Sequence, residues 1–230
     1  MNFRETACGS ARASVLARIA AARQSAGDIA DVRLLAVSKT QPAAAVRALC
    51  GEGQRAFGEN YVQEALAKQA ELADLALEWH LIGPLQSNKC REVALHFDWL
   101  QTLDRAKLVD LLARHRPPGR APLNVLVQVN IDDEDSKSGC APDEVDALAA
   151  AVAAQPALCL RGLMAIPAPS PDAGVRRAAF ARMRGLYDAL RTHHHALDTL
   201  SMGMSDDLEL AIAEGATMVR VGTALFGARG

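Results

Sequence analysis

About eight short apolar runs alternate with longer helix-like stretches, and this alternation limits the fold more than any other feature of the sequence. The runs are VRLLAVS, RAFGEN, EWHLIG, DWLQTLD, NVLVQVN, LRGLMAIP, TLSMGM and MVRVGTALFG. Between them lie AAAVRALCGEG, YVQEALAKQAELA, NKCREVALHF, RAKLVDLLARH, PDEVDALAAAVAA, GVRRAAFARMRGLYDALRTHH and DDLELAIAEG. Ala, Leu, Glu and Arg dominate the longer stretches, and all four are good helix formers. Pro42 and Pro142 suit first-turn positions, and Gly51 and Gly215 suit C-terminal caps. Strands that are apolar on both faces and separated by helices pair in parallel. Eight such units in 230 residues predict an α/β fold, a single (β/α)8 barrel of the TIM type. The runner-up, an open doubly wound sheet, would carry a Gly-rich fingerprint after its first strand. SKTQP is not one.

Half the residues are apolar, enough for a sizeable core, and the net charge of −2 gives no support for a nucleic-acid binder. No apolar stretch approaches the length of a membrane span. An arginine interrupts VLARIAAA, so the first 27 residues read as an amphipathic helix packed on the barrel, with Val15, Leu16 and Ile19 on one face. Glu5 argues against a transit peptide. No boundary divides residues 1–230, which read as one domain, expected to be monomeric. RHRPPGRAP (114–122) and PAPSPDAG (167–174) read as surface connections, and NIDDEDSKSG (130–139) as a longer acidic loop. Cys8, Cys50, Cys90, Cys140 and Cys159 are odd in number and show no CxxC pair. That argues against a disulfide scaffold or zinc site and for a reducing cytoplasm. His193, His194 and His195 follow one another and so point in different directions, unlike the i,i+4 ligands of a helical metal site.

In a parallel barrel the site lies at the C-terminal ends of the strands. The first strand ends at Ser38-Lys39-Thr40, the second at Gly58-Glu59-Asn60, and the third holds His80 and runs into Gly83-Pro84-Leu85-Gln86-Ser87-Asn88-Lys89. The fifth reaches Asn130, the sixth carries Met164, the seventh is Ser201-Met202-Gly203-Met204-Ser205 and the eighth is Arg220-Val221-Gly222-Thr223. Lys39, Asn60, His80, Ser201 and Arg220 are thus expected to converge on one mouth. Lys39 invites two readings beside that of a lysine snorkelling from a strand end. As an ammonium it pairs with a phosphate or carboxylate, and as a neutral amine it forms a Schiff base with an aldehyde. Gly with Ser or Thr after the last two strands lets backbone N–H groups and hydroxyls meet an anion, a common phosphate site in this architecture. Asp206 and Asp207 suit the start of the next helix. A phosphorylated aldehyde would engage both features, and pyridoxal 5′-phosphate (PLP) is such a molecule.

The motifs LLAVSKTQP, FGENYVQEALAK, WHLIGPLQSNK and SMGMSDDLELAIAEGATMVRVGTALFG, in this order from about residue 30 to the C-terminus, closely resemble the pyridoxal phosphate homeostasis proteins, the YggS/PROSC family. The resemblance implies a barrel similar to the N-terminal domain of alanine racemase, without its second domain. It implies that Lys39 holds PLP as an aldimine, that Asn60 lines the cofactor face, and that His80 and the Gln86-Ser87-Asn88-Lys89 turn belong to the third-strand motif. It gives the phosphate to Ser201, Met202, Gly203 and Ser205 after the seventh strand and Gly222 and Thr223 after the eighth. Arg220 then sits near the pyridine nitrogen, where its permanent charge disfavours protonation and carbanion chemistry. Lys137 matches a lysine that receives or passes on the cofactor; a solvated loop lysine is the alternative.

Three functions compete. The first is a protein of vitamin B6 homeostasis that holds PLP and releases it to PLP-dependent acceptor enzymes, with no assigned catalytic activity. The second is an amino-acid racemase on the same cofactor, which needs acid/base groups on both substrate faces. The opposite group in alanine racemase is a tyrosine of the second domain; Tyr61 and Tyr187 are the tyrosines here, both expected in helices. The third is a Schiff-base aldolase for a sugar phosphate.

Overall fold

The computed structural model describes residues 3–27, 31–132 and 138–227, with side chains from residue 11 onward. Lys137 and Cys8 therefore lie outside the described residues or side chains. The expected alternation is present: β1 (Arg33–Val37), α2 (Ala43–Gly51), β2 (Ala56–Glu59), α3 (Val62–Glu71), β3 (Glu78–Leu81), α4 (Cys90–His96), β4 (Trp99–Leu103), α5 (Ala106–His115), β5 (Leu123–Gln128), α6 (Val145–Ala153), β6 (Leu158–Met164), α7 (Ala173–Arg191), β7 (Thr199–Ser201), α8 (Leu208–Ala213), β8 (Met218–Val221) and α9 (Thr223–Phe226), after an N-terminal α1 (Phe3–Ser25). The strands close in chain order into one barrel, each parallel to its neighbours. β1 meets β8 with Arg33 opposite Met218 and Ala36 opposite Val221.

Strand side chains alternate between two faces. On β1, Leu34 and Ala36 join the large apolar cluster shared with the helices, whereas Leu35 packs with Ala56 and Met218 in a separate small cluster. Leu35 therefore faces the barrel interior, and Arg33, Val37 and Lys39 share its parity. A second small cluster of Trp99, Leu126 and Met164 fills the interior from β4 to β6. Burying the shell between barrel and helices, about 2 kcal/mol per large aliphatic side chain, is the main stabilising term.

Local punctuation differs in places from expectation. Gly215 adopts a left-handed φ of 91° after α8, as its position predicts, but after α2 that role falls to Gly53 at 92°, and Gly51 stays helical. Pro142 opens a short 3-10 turn, whereas Pro42 stands just outside α2 as its N-cap. Asp207 occupies the N-cap of α8, yet its carboxylate turns back to accept the Met204 N–H at 2.6 Å, bracing the β7–α8 loop. Met204 lies beyond the end of β7 and is exposed, whereas Met202 packs in the core. Val15 and Ile19 of α1 are buried, as expected, and Arg18 bonds Glu209 and the Ser205 carbonyl at 2.9 Å. No helix among the described residues is long and apolar enough to cross a membrane.

Gly162 shows why β6 needs its irregularity. Its φ is 146°, and a Cβ there would overlap the Thr199 carbonyl of β7. Gly162→Ala is expected to lower unfolding free energy by about 3 kcal/mol or more in urea titration, since β6 and β7 would have to part. A loss near zero would contradict this packing.

Candidate functional site

A chain of polar side chains threads the barrel interior. At the N-terminal end Arg33 donates to Glu78 at 2.6 Å. Glu78 also meets His80 Nε2 at 2.6 Å. His80 Nδ1 faces Gln101 Nε2 at 2.9 Å, and Gln101 Oε1 accepts from Ser201 Oγ at 2.8 Å. Arg220 Nη1 donates to Ser201 Oγ at 2.8 Å, and its Nη2 donates to the Ala165 carbonyl at 2.9 Å. The donors fix the protonation pattern. Arg220 can only donate, so the Ser201 hydroxyl proton goes to Gln101; the Gln101 amide then donates to His80 Nδ1, leaving the His80 proton on Nε2 towards Glu78. His80 lies flat on Trp99, with ring centroids 5.0 Å apart, and the Arg161 guanidinium stands 4.8 Å from the Trp99 ring centroid.

The electrostatics agree with this pattern. Complete burial pushes His80 below its ordinary value, against the pull of Glu78. Burial works to raise the Glu78 carboxyl, but the hydrogen bond from His80 and the neighbouring Arg33 outweigh it and bring the group to about 2. Burial also lowers Arg220, to about 10, so it remains a cation at neutral pH.

At the opposite, C-terminal end lies the mouth. Lys39 follows β1 with inward parity and is half-buried. Among the described residues its amine has no hydrogen-bond or ion-pair partner. Asn60 has the same inward parity after β2, and Gly83 lies so close that a Cβ would overlap the Asn60 carbonyl. The loops after β7 and β8 meet where the Ala224 N–H approaches Ser205 Oγ at 3.4 Å. Gly203 takes a φ of 91° and presents its carbonyl to the Arg220 N–H at 3.0 Å. Gly222 abuts β1: a Cβ there would stand 3.3 Å from the Val37 carbonyl. Because each helix returns antiparallel to its strand, α8 and α9 begin at the mouth, and Ser205, Gly222 and Thr223 surround those starts.

The expected convergence is therefore layered. Lys39, Asn60, Ser205, Gly222 and Thr223 belong to the rim, while Arg220 and Ser201 are buried beneath it. His80 is farther down, fully buried, and reaches Arg220 only through Gln101 and Ser201. Met202 faces the helical shell rather than the interior. Gln101 and Glu78 were not singled out from the sequence; each stands at inward parity in its strand, but only its partners from other strands, Ser201 and Arg33, show its role. Among the described residues, no group of His, Cys, Asp and Glu could hold a metal.

A family model described as alanine racemase, N-terminal domain, matches residues 12–230. The pyridoxal phosphate homeostasis protein of Pseudomonas aeruginosa is 62% identical over 218 residues, covering 94% of this chain and 94% of that one. The chain belongs to the pyridoxal phosphate homeostasis protein family. The relative of the same description from Escherichia coli K12 is 56% identical over 203 residues, 86% of each chain. Among solved structures, PipY of Synechococcus elongatus with PLP bound matches at a TM-score of 0.80 and 42% identity, over 91% of this chain and 98% of that one. Alanine racemase from Corynebacterium glutamicum matches at 0.67 and 19% identity, over 98% of this chain and 61% of that one, a likeness of fold alone. In this member of the homeostasis family, the interior chain makes stability depend on pH. The unfolded chain protonates His80 near the ordinary value of 6.5, and the folded chain does so only at lower pH, so acid favours unfolding. Stability is expected to fall as pH drops through about 6.5 and to keep falling until the folded chain also takes up the proton, and His80→Gln should flatten that fall. Parallel pH profiles of the two proteins in urea titration would refute the role of His80.

Proposed function

We propose that this chain binds pyridoxal 5′-phosphate in the barrel mouth, covalently at Lys39, and takes part in holding and releasing the cofactor within the cell. The observation that carries this reading is the Lys39 amine, which has no partner among the described residues and stands at inward parity beside loops of β7 and β8 that suit a phosphate and above a buried guanidinium. The donor set fits the cofactor. Ser205 and Thr223 offer hydroxyls near where the loops after β7 and β8 meet, which suits a dianion. Arg220 stays charged and is aimed by Ser201 and the Ala165 carbonyl, which suits an unprotonated ring nitrogen. Asn60 lies on the rim between the β1 and β3 loops. When bound, the cofactor supplies an aldehyde carbon that condenses with a neutral amine to a Schiff base, releasing water.

The relatives' descriptions support the physiological half of the reading, as does the bound PLP in the PipY structure. PLP-dependent acceptor enzymes are the partners it implies, and the cytoplasm is the compartment. The racemase alternative asks for an acid/base group opposite Lys39. Tyr187 is buried in α7 against Gly162, and Tyr61 is exposed at the N-cap of α3. Neither is joined to the chain that aims Arg220.

Protein loaded with PLP should absorb near about 420 nm, and Lys39→Ala should lose that band. Incubation of the loaded protein with L-amino acids should yield no steady release of D-isomer. A band that persists without Lys39 would overturn the covalent assignment, and sustained racemisation would favour the enzyme.

A further inference from the structure

Behind Lys39, on the outer face of β1 and β2, lies an ionic cluster that the apolar shell does not require. Glu59 ends β2 at outward parity and is fully buried; Lys68 of α3 is 5% exposed. Lys68 Nζ lies 2.7 Å from Glu59 Oε1 and 2.7 Å from Glu64 Oε1. It also donates to the Ser38 carbonyl at 2.6 Å. Ser38 Oγ donates to Glu59 Oε1 at 2.6 Å. Glu64 accepts the Thr40 N–H at 2.5 Å. Burial pushes the Glu59 carboxyl up, with the hydrogen bonds from Lys68 and Ser38 working against it.

These contacts have a common target. The Ser38 carbonyl belongs to the peptide plane entering Lys39, and the Thr40 N–H belongs to the plane leaving it. The φ and ψ of Lys39 are the rotations between those two planes, so gripping both sets the direction of its Cα–Cβ bond. Thr40 sits at a φ of 63°, a left-handed conformation that a β-branched residue rarely takes, so the turn needs such a grip. A buried ion pair seldom stabilises more than apolar residues of the same volume would. The cluster is therefore better explained by what it orients than by what it adds to the core.

We propose that Glu59, Lys68 and Glu64 are positioning residues that aim the Lys39 amine into the mouth by clamping the two peptide groups on either side of it. The inference rests on the reading of Lys39 as the covalent site, and it assigns the clamp a role in the speed of Schiff-base formation rather than in holding the phosphate end of the ligand.

Glu64 is partly exposed, which makes it the safest probe. Glu64→Ala removes the acceptor for Thr40, whereas Glu64→Gln keeps an amide oxygen there. The rate of appearance of the band near about 420 nm is followed after mixing with PLP. Binding of pyridoxine 5′-phosphate, which has the phosphate and ring but no aldehyde, is measured in parallel. Glu64→Ala should slow the covalent step about tenfold with pyridoxine 5′-phosphate affinity unchanged, and Glu64→Gln should recover most of the rate. The double variant Glu59→Gln/Lys68→Met, which leaves no charge buried alone, should show the same split. An unchanged covalent rate in Glu64→Ala would overturn the proposal. So would an equal weakening of both ligands, which marks a merely structural role. A wild-type protein with no Lys39-dependent band would refute the proposed function itself, a failure visible before any clamp variant is made.

Discussion

Closure of β8 onto β1 is the constraint on which the rest of the structure depends. Chain ends separated by nearly the whole sequence become neighbours, with Leu35 opposite Arg220 and Ala36 opposite Val221. That pairing brings Lys39, which leaves the first strand, beside Gly222, which leaves the last. The small side of Gly222 lets the two backbones approach, since even a methyl group would press on the Val37 carbonyl. An open sheet of the same strands would leave β1 and β8 as separate edges, with the amine and the loops of β7 and β8 apart.

Closure also creates an interior that must be filled, and this chain fills part of it with polar groups. Unpaired, each would cost about 1–3 kcal/mol. Linked from Arg33 through Glu78, His80, Gln101 and Ser201 to Arg220, each has a partner, and donation runs from Arg220 along the chain to Glu78, which also accepts from Arg33. A cation at one end and a carboxylate held near the other enforce that direction. The layout connects stability with function, because the bond that satisfies Ser201 is also the one that orients Arg220 beneath the mouth.

The fold was legible because its signal repeats: eight apolar runs and the helices between them each carry the same message, and an error at one boundary, as at Gly51 or Pro42, does not disturb it. The rim was legible for a related reason, since Lys39 and Asn60 stand at strand ends whose inward parity can be counted. What escaped depends on pairs distant in sequence. Nothing in YVQEALAK says that Lys68 reaches back thirty residues to the Ser38 carbonyl. Gln101 likewise reads as one more polar residue in DWLQTLD until β7 supplies Ser201. Asp207 looked like a cap and became a loop brace, because its local geometry favours the Met204 N–H.

Everything depends on one nitrogen at the rim that has no other partner among the described residues. The most direct measurement is borohydride reduction of the PLP-loaded protein followed by peptide mapping of the pyridoxyl label. The label is expected on the peptide containing RLLAVSKTQP, at Lys39, in one-to-one yield. A label found chiefly on Lys68, Lys89, Lys107 or Lys137, or spread among them, would contradict it.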